Sequence, residues 1–179
     1  GHSGVEARCR GFIDALTEAG VEAEVLVTND DPAESSTIIG DYYAANPDAD
    51  IFITMGPNSA IPFYAFMDNE GLSAGDITHG TFDNSPEITA MIESGVTMFG
   101  IDQQPYLQGY GAVTALSLVA RYGISPALPV TATGPGFITK DTLGDPPGAD
   151  SPMSVIAVQH AECAWDAFWC VVQNGATTA

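Results

Sequence analysis

The chain has 179 residues and 45% hydrophobic content, enough to bury the core of one ordinary domain, or of one and part of a second, and unlike a disordered segment. Its 23 Asp and Glu against 4 Lys and Arg give a formal charge of -19, which repels phosphate backbones and anionic membrane surfaces and so disfavours nucleic acid and lipid as partners. The same surface suits solubility at high salt, although an acidic extracellular protein from a low-salt source carries the same signature.

Residues 5–19 (VEARCRGFIDALTEA) put Phe12, Ala15, Leu16 and Ala19 on one stripe and end at Gly20, the pattern of a helix with a favourable residue just past its end. VEAEVLVT (21–28) is a β-branched run and reads as a strand, PAESSTIIGDYYAAN (32–46) as a helix stopping before Pro47, and DIFITMG (50–56) as a short apolar strand. Continuous apolar strands between amphipathic helices predict an α/β fold in which a parallel sheet carries helices on both faces. A helix near 58–69 and a strand DITHGTF (76–82) follow. The next helix opens at Ser85-Pro86-Glu87, with the serine as N-cap, the proline in the first turn and the glutamate at the positive end. VTMFGI is a strand leading into a helix from Pro105 to about Tyr122. Residues 123–152 are rich in Pro and Gly, and LGDPPGADSP (143–152) reads as a linker. MSVIAVQHA (153–161) is a further apolar strand and WDAFWCVVQNGATTA a last helix.

No apolar run is long enough to span a bilayer and no basic stretch followed by an apolar one opens the chain. A soluble protein without membrane insertion is expected, with no signal peptide in the sequence given. Cys9, Cys163 and Cys170 form an odd set without a C-x-x-C pair, which points to neither a zinc knuckle nor a disulfide framework. Small buried or partly exposed thiols are the simpler reading, although Cys163 and Cys170 could pair with each other or with Cys9 in an oxidising compartment.

In an open parallel sheet the chemistry sits at the carboxyl ends of the strands. The residues there are His2, Ser3 and Arg8 in the opening turn of the first helix, Asn29-Asp30-Asp31, Gly56-Pro57-Asn58, Asp83-Asn84, Asp102-Gln103-Gln104, and Glu162, Asp166, Phe168 and Trp169. Carboxylates, amides, one guanidinium and flat rings suit an uncharged, polyhydroxylated ligand: planar donors and acceptors for pairs of hydroxyls, rings for the apolar face of a sugar. No G-x-G-x-x-G or G-x-x-x-x-G-K-[ST] loop offers a phosphate cradle, so no cofactor is implied. No G-x-S-x-G elbow is present, and His2, His79 and His160 lack the spacing of a metal set. A triad built from Ser3, His2 or His160, and Asp83 would need a geometry that sequence does not carry.

GHSGVEARCRGF, NPDADIFITMGP, the turn TFDNSPE and above all MFGIDQQPYLQGYGAV resemble the second lobe of the type I periplasmic sugar-binding proteins of ABC transporters, the group akin to ribose-binding protein. SVIAVQHAECAWDAFWCVVQNGATTA is similar to that family's opening strand and helix, which belong to its first lobe. The resemblance implies a periplasmic-binding-protein-like lobe with flavodoxin-like strand order: residues 1–142 as second lobe with hinge segments, 143–152 as linker, 153–179 as the start of the first lobe. It implies a solute-binding module rather than an enzyme, periplasmic or extracellular, capturing a sugar or similar small molecule for an ABC-transporter permease in the full-length context. By motif it implies ligand contacts from Arg8 (GVEARCRGF), Asp83 (TFDNSPE) and Gln103 with Asp102 beside it (IDQQP), and from Asp166, Phe168 and Trp169 in the first-lobe motif. On residue type alone, Arg8 also reads as a solvated helix residue, Asp83 as a cap of its own turn, and Phe168 and Trp169 as core.

The order of segments departs from that family, where the VIAVQHA-like strand comes first and more of the first lobe precedes the GHSG motif. The chain therefore reads as circularly permuted and truncated, and the strand that normally precedes GHSG, central in its sheet, is missing. A central strand cannot be omitted without leaving two rows of backbone groups unpaired, so MSVIAVQHA is expected beside VEAEVLVT and DIFITMG, from the same chain or by strand exchange with another. Two other classes stay open: a LacI-like effector-binding domain, which would need a helix-turn-helix that is absent and a less acidic surface, and a flavodoxin-like or hydrolytic enzyme.

Overall fold

Three consecutive β-α units end their strands on one rim, and that rim positions the candidate site. A computed structural model describes residues 3–125 and 130–144. The strand and helix expected within 153–179, the pairing expected of MSVIAVQHA, and His2, Asp166, Phe168 and Trp169 lie outside the described residues. In chain order the elements are α1 (Ser3–Glu18), α2 (Pro32–Ala45), β1 (Ile51–Thr54), α3 (Pro57–Asn69), β2 (Thr78–Phe82), α4 (Pro86–Ser94), β3 (Phe99–Asp102), α5 (Pro105–Tyr122) and β4 (Gly136–Ile138).

The sheet runs β1-β2-β3-β4. β1, β2 and β3 are parallel, as the apolar runs predict, with Ile51 opposite Thr78 and Gly80 opposite Phe99. β4 pairs antiparallel with β3, so the sheet is mixed. That fourth strand is three residues long and lies in the stretch whose Pro and Gly content predicts irregular chain.

VEAEVLVT is the correction. Among the described residues, 21–29 join no ladder, and β1 is an outer strand of the described sheet. Strand propensity is largely the fit of a side chain to paired neighbours, and among the described residues this segment has none to pair with. Leu26 packs on the core, while Val25 and Val27 stand 52% and 78% exposed. Tyr42 braces the segment from α2, its hydroxyl donating to Glu24 and its ring meeting Phe52 edge-on.

The helix ends follow from local chemistry. Asp31 accepts from the amides of Ala33 and Glu34 to open α2, Ser85 accepts from the Ile88 amide to open α4, and Gly95 closes α4 in the left-handed conformation at φ 85°. Each side-chain cap contributes roughly 1 kcal/mol.

The two faces of the sheet are unequal. On one, Ile39, Phe63, Phe66, Ile88 and Ile92 from α2, α3 and α4 are buried against the strands, and the His79 ring stacks on Phe63 with centroids 4.2 Å apart. Side chains alternate along a strand, so Phe82 points to the opposite face from His79 and Thr81, and there it meets Phe12 of α1 edge-on. Helices thus cover both faces, although no residue of α1 is fully buried.

Candidate functional site

Parallel strands place their carboxyl ends side by side, which brings Met55-Gly56 after β1, Asp83 after β2 and Gln103 after β3 to one rim. The β1 turn is pinned by Ser59, whose hydroxyl accepts from the Met55 amide and donates to the Gly56 carbonyl. A Cβ at Gly56 would stand 3.5 Å from Asp83 Oδ2, and its φ of 148° favours glycine. The Asp83 amide donates to the Ile101 carbonyl at 2.9 Å, and this non-glycine residue holds a φ of 66°. Such a conformation persists only where the surroundings impose it, and it clusters at functional sites.

Arg8 reaches this rim from α1. Its guanidinium donates through Nη1 to the Met55 carbonyl at 2.8 Å and through Nη2 to Gln103 Oε1 at 3.0 Å. Gln103 Nε2 donates in turn to Asp83 Oδ1, and Asp83 Oδ2 lies 3.9 Å from Arg8 Nη1. The guanidinium sits 4.6 Å above the Phe82 ring, a cation–π contact. Guanidinium, amide and carboxylate therefore hold one another in place while half-exposed, at 25% for the Arg8 side chain and 32% for Asp83.

Three of the sequence-selected residues, Arg8, Asp83 and Gln103, are thus brought together. Asp102 is not: its Oδ1 accepts from the Gln104 amide at 2.8 Å, steadying a turn in which Gln104 holds a φ of 55°. Asn29 and Asp31 are taken up at the start of α2, and Asn84 accepts from the Thr89 hydroxyl. Residue type alone misses Phe82, the Met55 carbonyl, and Thr133 and Gln108, which both donate to the Gln103 carbonyl at 2.9 Å. The signal for Phe82 is its place directly before Asp83 on a strand whose period of two turns it toward α1. Beside Gln103 lies an open depression of about 320 Å³, with Phe82, Ile101, Gln108 and Thr133 in its walls.

The donor set fits hydroxyl groups. Arg8 offers N–H groups only, Asp83 accepts only, and Gln103 does both, so adjacent hydroxyls of one ligand find complementary partners. Among the described residues no cluster of His, Cys, Asp and Glu could hold a metal, and no helix is long and apolar enough to cross a membrane.

Residues 1–123 match the periplasmic binding protein domain family. The chain belongs to that family. It is 28% identical over 150 residues to a xylose/arabinose-binding protein, XylF, of Sulfolobus acidocaldarius, covering 80% of this chain and 36% of the relative. Among solved structures it is 31% identical to a carbohydrate transporter protein from Acidothermus cellulolyticus, in complex with myo-inositol, with a TM-score of 0.65 over 76% of this chain and 46% of that one. It is 26% identical to a periplasmic sugar-binding protein of an ABC sugar transporter from Legionella pneumophila, with a TM-score of 0.65 over 70% of this chain and 46% of that one. The chain spans less than half the length of each of these relatives. By name they are sugar-binding or carbohydrate-transport proteins, and residues 153–179 lie beyond those that match the family.

Proposed function

We propose that this chain supplies one wall of a ligand cleft that captures a neutral, polyhydroxylated small molecule, a sugar or cyclitol, for uptake by an ABC transporter outside the cytoplasm. The observation that carries this reading is the convergence of Arg8, Gln103 and Asp83 at the carboxyl ends of adjacent parallel strands, each orienting the next. Family membership supports the sugar class, the transporter partner and the location. The action is binding without catalysis, in keeping with the transport-protein relatives; among the described residues the one histidine, His79, is sealed in the core. Asp166, Phe168 and Trp169, which lie outside the described residues, are carried as further proposed sugar contacts by their first-lobe motif, Trp169 through its ring.

The test is isothermal titration with xylose, arabinose and myo-inositol, on this chain and on a chimera carrying the first lobe of the Sulfolobus relative. Against the best ligand, Asp83→Ala, Gln103→Ala and Arg8→Ala are each expected to lose about 1.5–3 kcal/mol, the worth of a hydrogen bond involving a charged group. That is roughly one to two decades of affinity. Unchanged affinity in all three variants removes the site.

A further inference from the structure

The strands that carry the site are also joined through the core by one continuous polar line. The Tyr64 hydroxyl lies 2.9 Å from Thr97 Oγ1, which lies 2.9 Å from His79 Nδ1. On the other side of the ring, His79 Nε2 lies 3.1 Å from Thr54 Oγ1, Thr54 Oγ1 lies 2.8 Å from Thr81 Oγ1, and Thr81 Oγ1 lies 3.2 Å from the Phe82 carbonyl. His79 and Thr81 are fully buried, and Thr54, Tyr64 and Thr97 are nearly so.

Chemistry gives the line a direction. A carbonyl only accepts, so the Thr81 hydroxyl donates to Phe82 and has no second proton. Thr54 must then donate to Thr81, which spends its own proton, so the hydrogen between Thr54 and the ring belongs to Nε2. Nδ1 is left as an acceptor, Thr97 donates to it, and Thr97 accepts from Tyr64. One carbonyl at the end of β2 thereby sets five hydrogen bonds and the tautomer of a histidine.

We propose that His79, as the Nε2–H tautomer of this one-way relay, is a positioning residue for the rim that holds Arg8, Asp83 and Gln103. Thr54 directly precedes Met55, whose carbonyl holds Arg8, and Phe82 lies under the Arg8 guanidinium directly before Asp83. The Thr54–Thr81 and Thr54–His79 bonds cross from β1 to β2 where the strands deliver those residues, and Thr97 ties the ring to the approach of β3. Phe63 stacks on the ring and Tyr64 meets it edge-on, centroids 5.4 Å apart, and Tyr64 is the one other titratable group in the relay. Burial lowers the imidazole to about 3 and raises the Tyr64 phenol, so the ring stays neutral and the relay's first donor keeps its proton.

That the rim binds a ligand rests on the sugar-binding reading; the relay does not, and its test uses no ligand. Long-range ¹H–¹⁵N correlation on the labelled chain at neutral pH, with His79 identified by its loss in His79→Gln, is expected to find hydrogen on Nε2 and none on Nδ1. Thr81→Val removes an acceptor that does not touch the ring. Thr54 is then free to donate to Nε2, and a large share of molecules is expected to change to the Nδ1–H form. The Gln103 side-chain amide and Arg8 guanidinium signals are expected to move with it, and Thr81→Ser to restore all three. Thr81→Ala serves in place of the valine if that variant does not fold. An Nδ1–H native ring, or a tautomer indifferent to loss of the Thr81 hydroxyl, overturns the relay. A tautomer change with unmoved Gln103 and Arg8 signals overturns the positioning role. A chain that shows these signals but binds no sugar overturns the ligand reading alone.

Discussion

Gly80 and the Phe99 ring occupy one space. A Cβ at position 80 would fall 2.4 Å from Cζ of Phe99, whose ring is braced edge-on by Phe137 at 5.8 Å. Gly80→Ala must therefore displace an aromatic ring and its neighbour, and a loss of about 1–3 kcal/mol is expected, read as a lower denaturant midpoint at unchanged slope. His79 sets a second expectation. Its ring is neutral in the folded chain down to about pH 3, against about 6.5 for an ordinary imidazole, because burial penalises the charged form. Between those values the unfolded chain binds the extra proton, so this contribution to stability is complete above about pH 6.5 and is lost as pH falls toward 3. One proton can change stability by at most about 1.4 kcal/mol per pH unit. Unfolding midpoints between pH 4 and 7 should show a shallower acid loss in His79→Gln than in the native chain, and identical slopes would remove the effect. At this scale the motifs GVEARCRGF, TFDNSPE and IDQQP singled out Arg8, Asp83 and Gln103, which the fold brings together, Asp83 and Gln103 from strand ends and Arg8 from α1. The role of His79 was not legible, because it depends on cross-strand register, Thr54 beside Thr81 and Phe52 beside His79, which no spacing along one strand reveals.

The helices were legible within a few residues because their signals are local: Ser85 before Pro86, Asp31 before Pro32, and glycines at 95 and 123 in left-handed conformations. Strands are relations between segments, and there sequence reading divides. DIFITMG and VTMFGI carry continuous apolar runs and pair as expected, whereas VEAEVLVT carries the same signal and joins no ladder among the described residues. GFI in β4 carries almost no signal, yet pairs with β3 because the chain returns alongside it. α5 gives the helical analogue: it is apolar on all sides and none of its residues is buried, with Tyr106 82% and Leu116 68% exposed. Its helicity was written in its residues; its neighbours were not. Hydrogen exchange tests the unpaired segment. Amides of 22–28 are expected to exchange quickly, and those of Gly80 and Thr81, inside a parallel ladder with partners on both sides, to be protected to near the global opening limit. Strong protection throughout 22–28 would mean that it holds a stable ladder after all.

For the whole molecule, charge and site make opposite demands on solvent. A net charge of -19 repels itself, while the described residues contain one ion pair, Arg8 with Asp83 at 3.9 Å. Screening therefore removes more repulsion than attraction, and stability is expected to rise with sodium chloride. Between about 0.01 M and 1 M salt the Debye length falls from about 30 Å to about 3 Å, shorter than most distances between surface carboxylates. In a chain of this size each kcal/mol of relieved repulsion raises Tm by about 2–4 °C. A neutral sugar brings no charge to be steered or screened, and its hydrogen bonds to Arg8, Gln103 and Asp83 form at contact distances, inside even the shortest of these screening lengths. Its affinity should consequently change little over the salt range in which Tm climbs. Thermal unfolding and sugar titration in the same salt series separate the two effects. A Tm that falls with salt would contradict the repulsion argument, and an affinity that falls steeply with salt would mean that the rim takes a charged ligand instead of a neutral one.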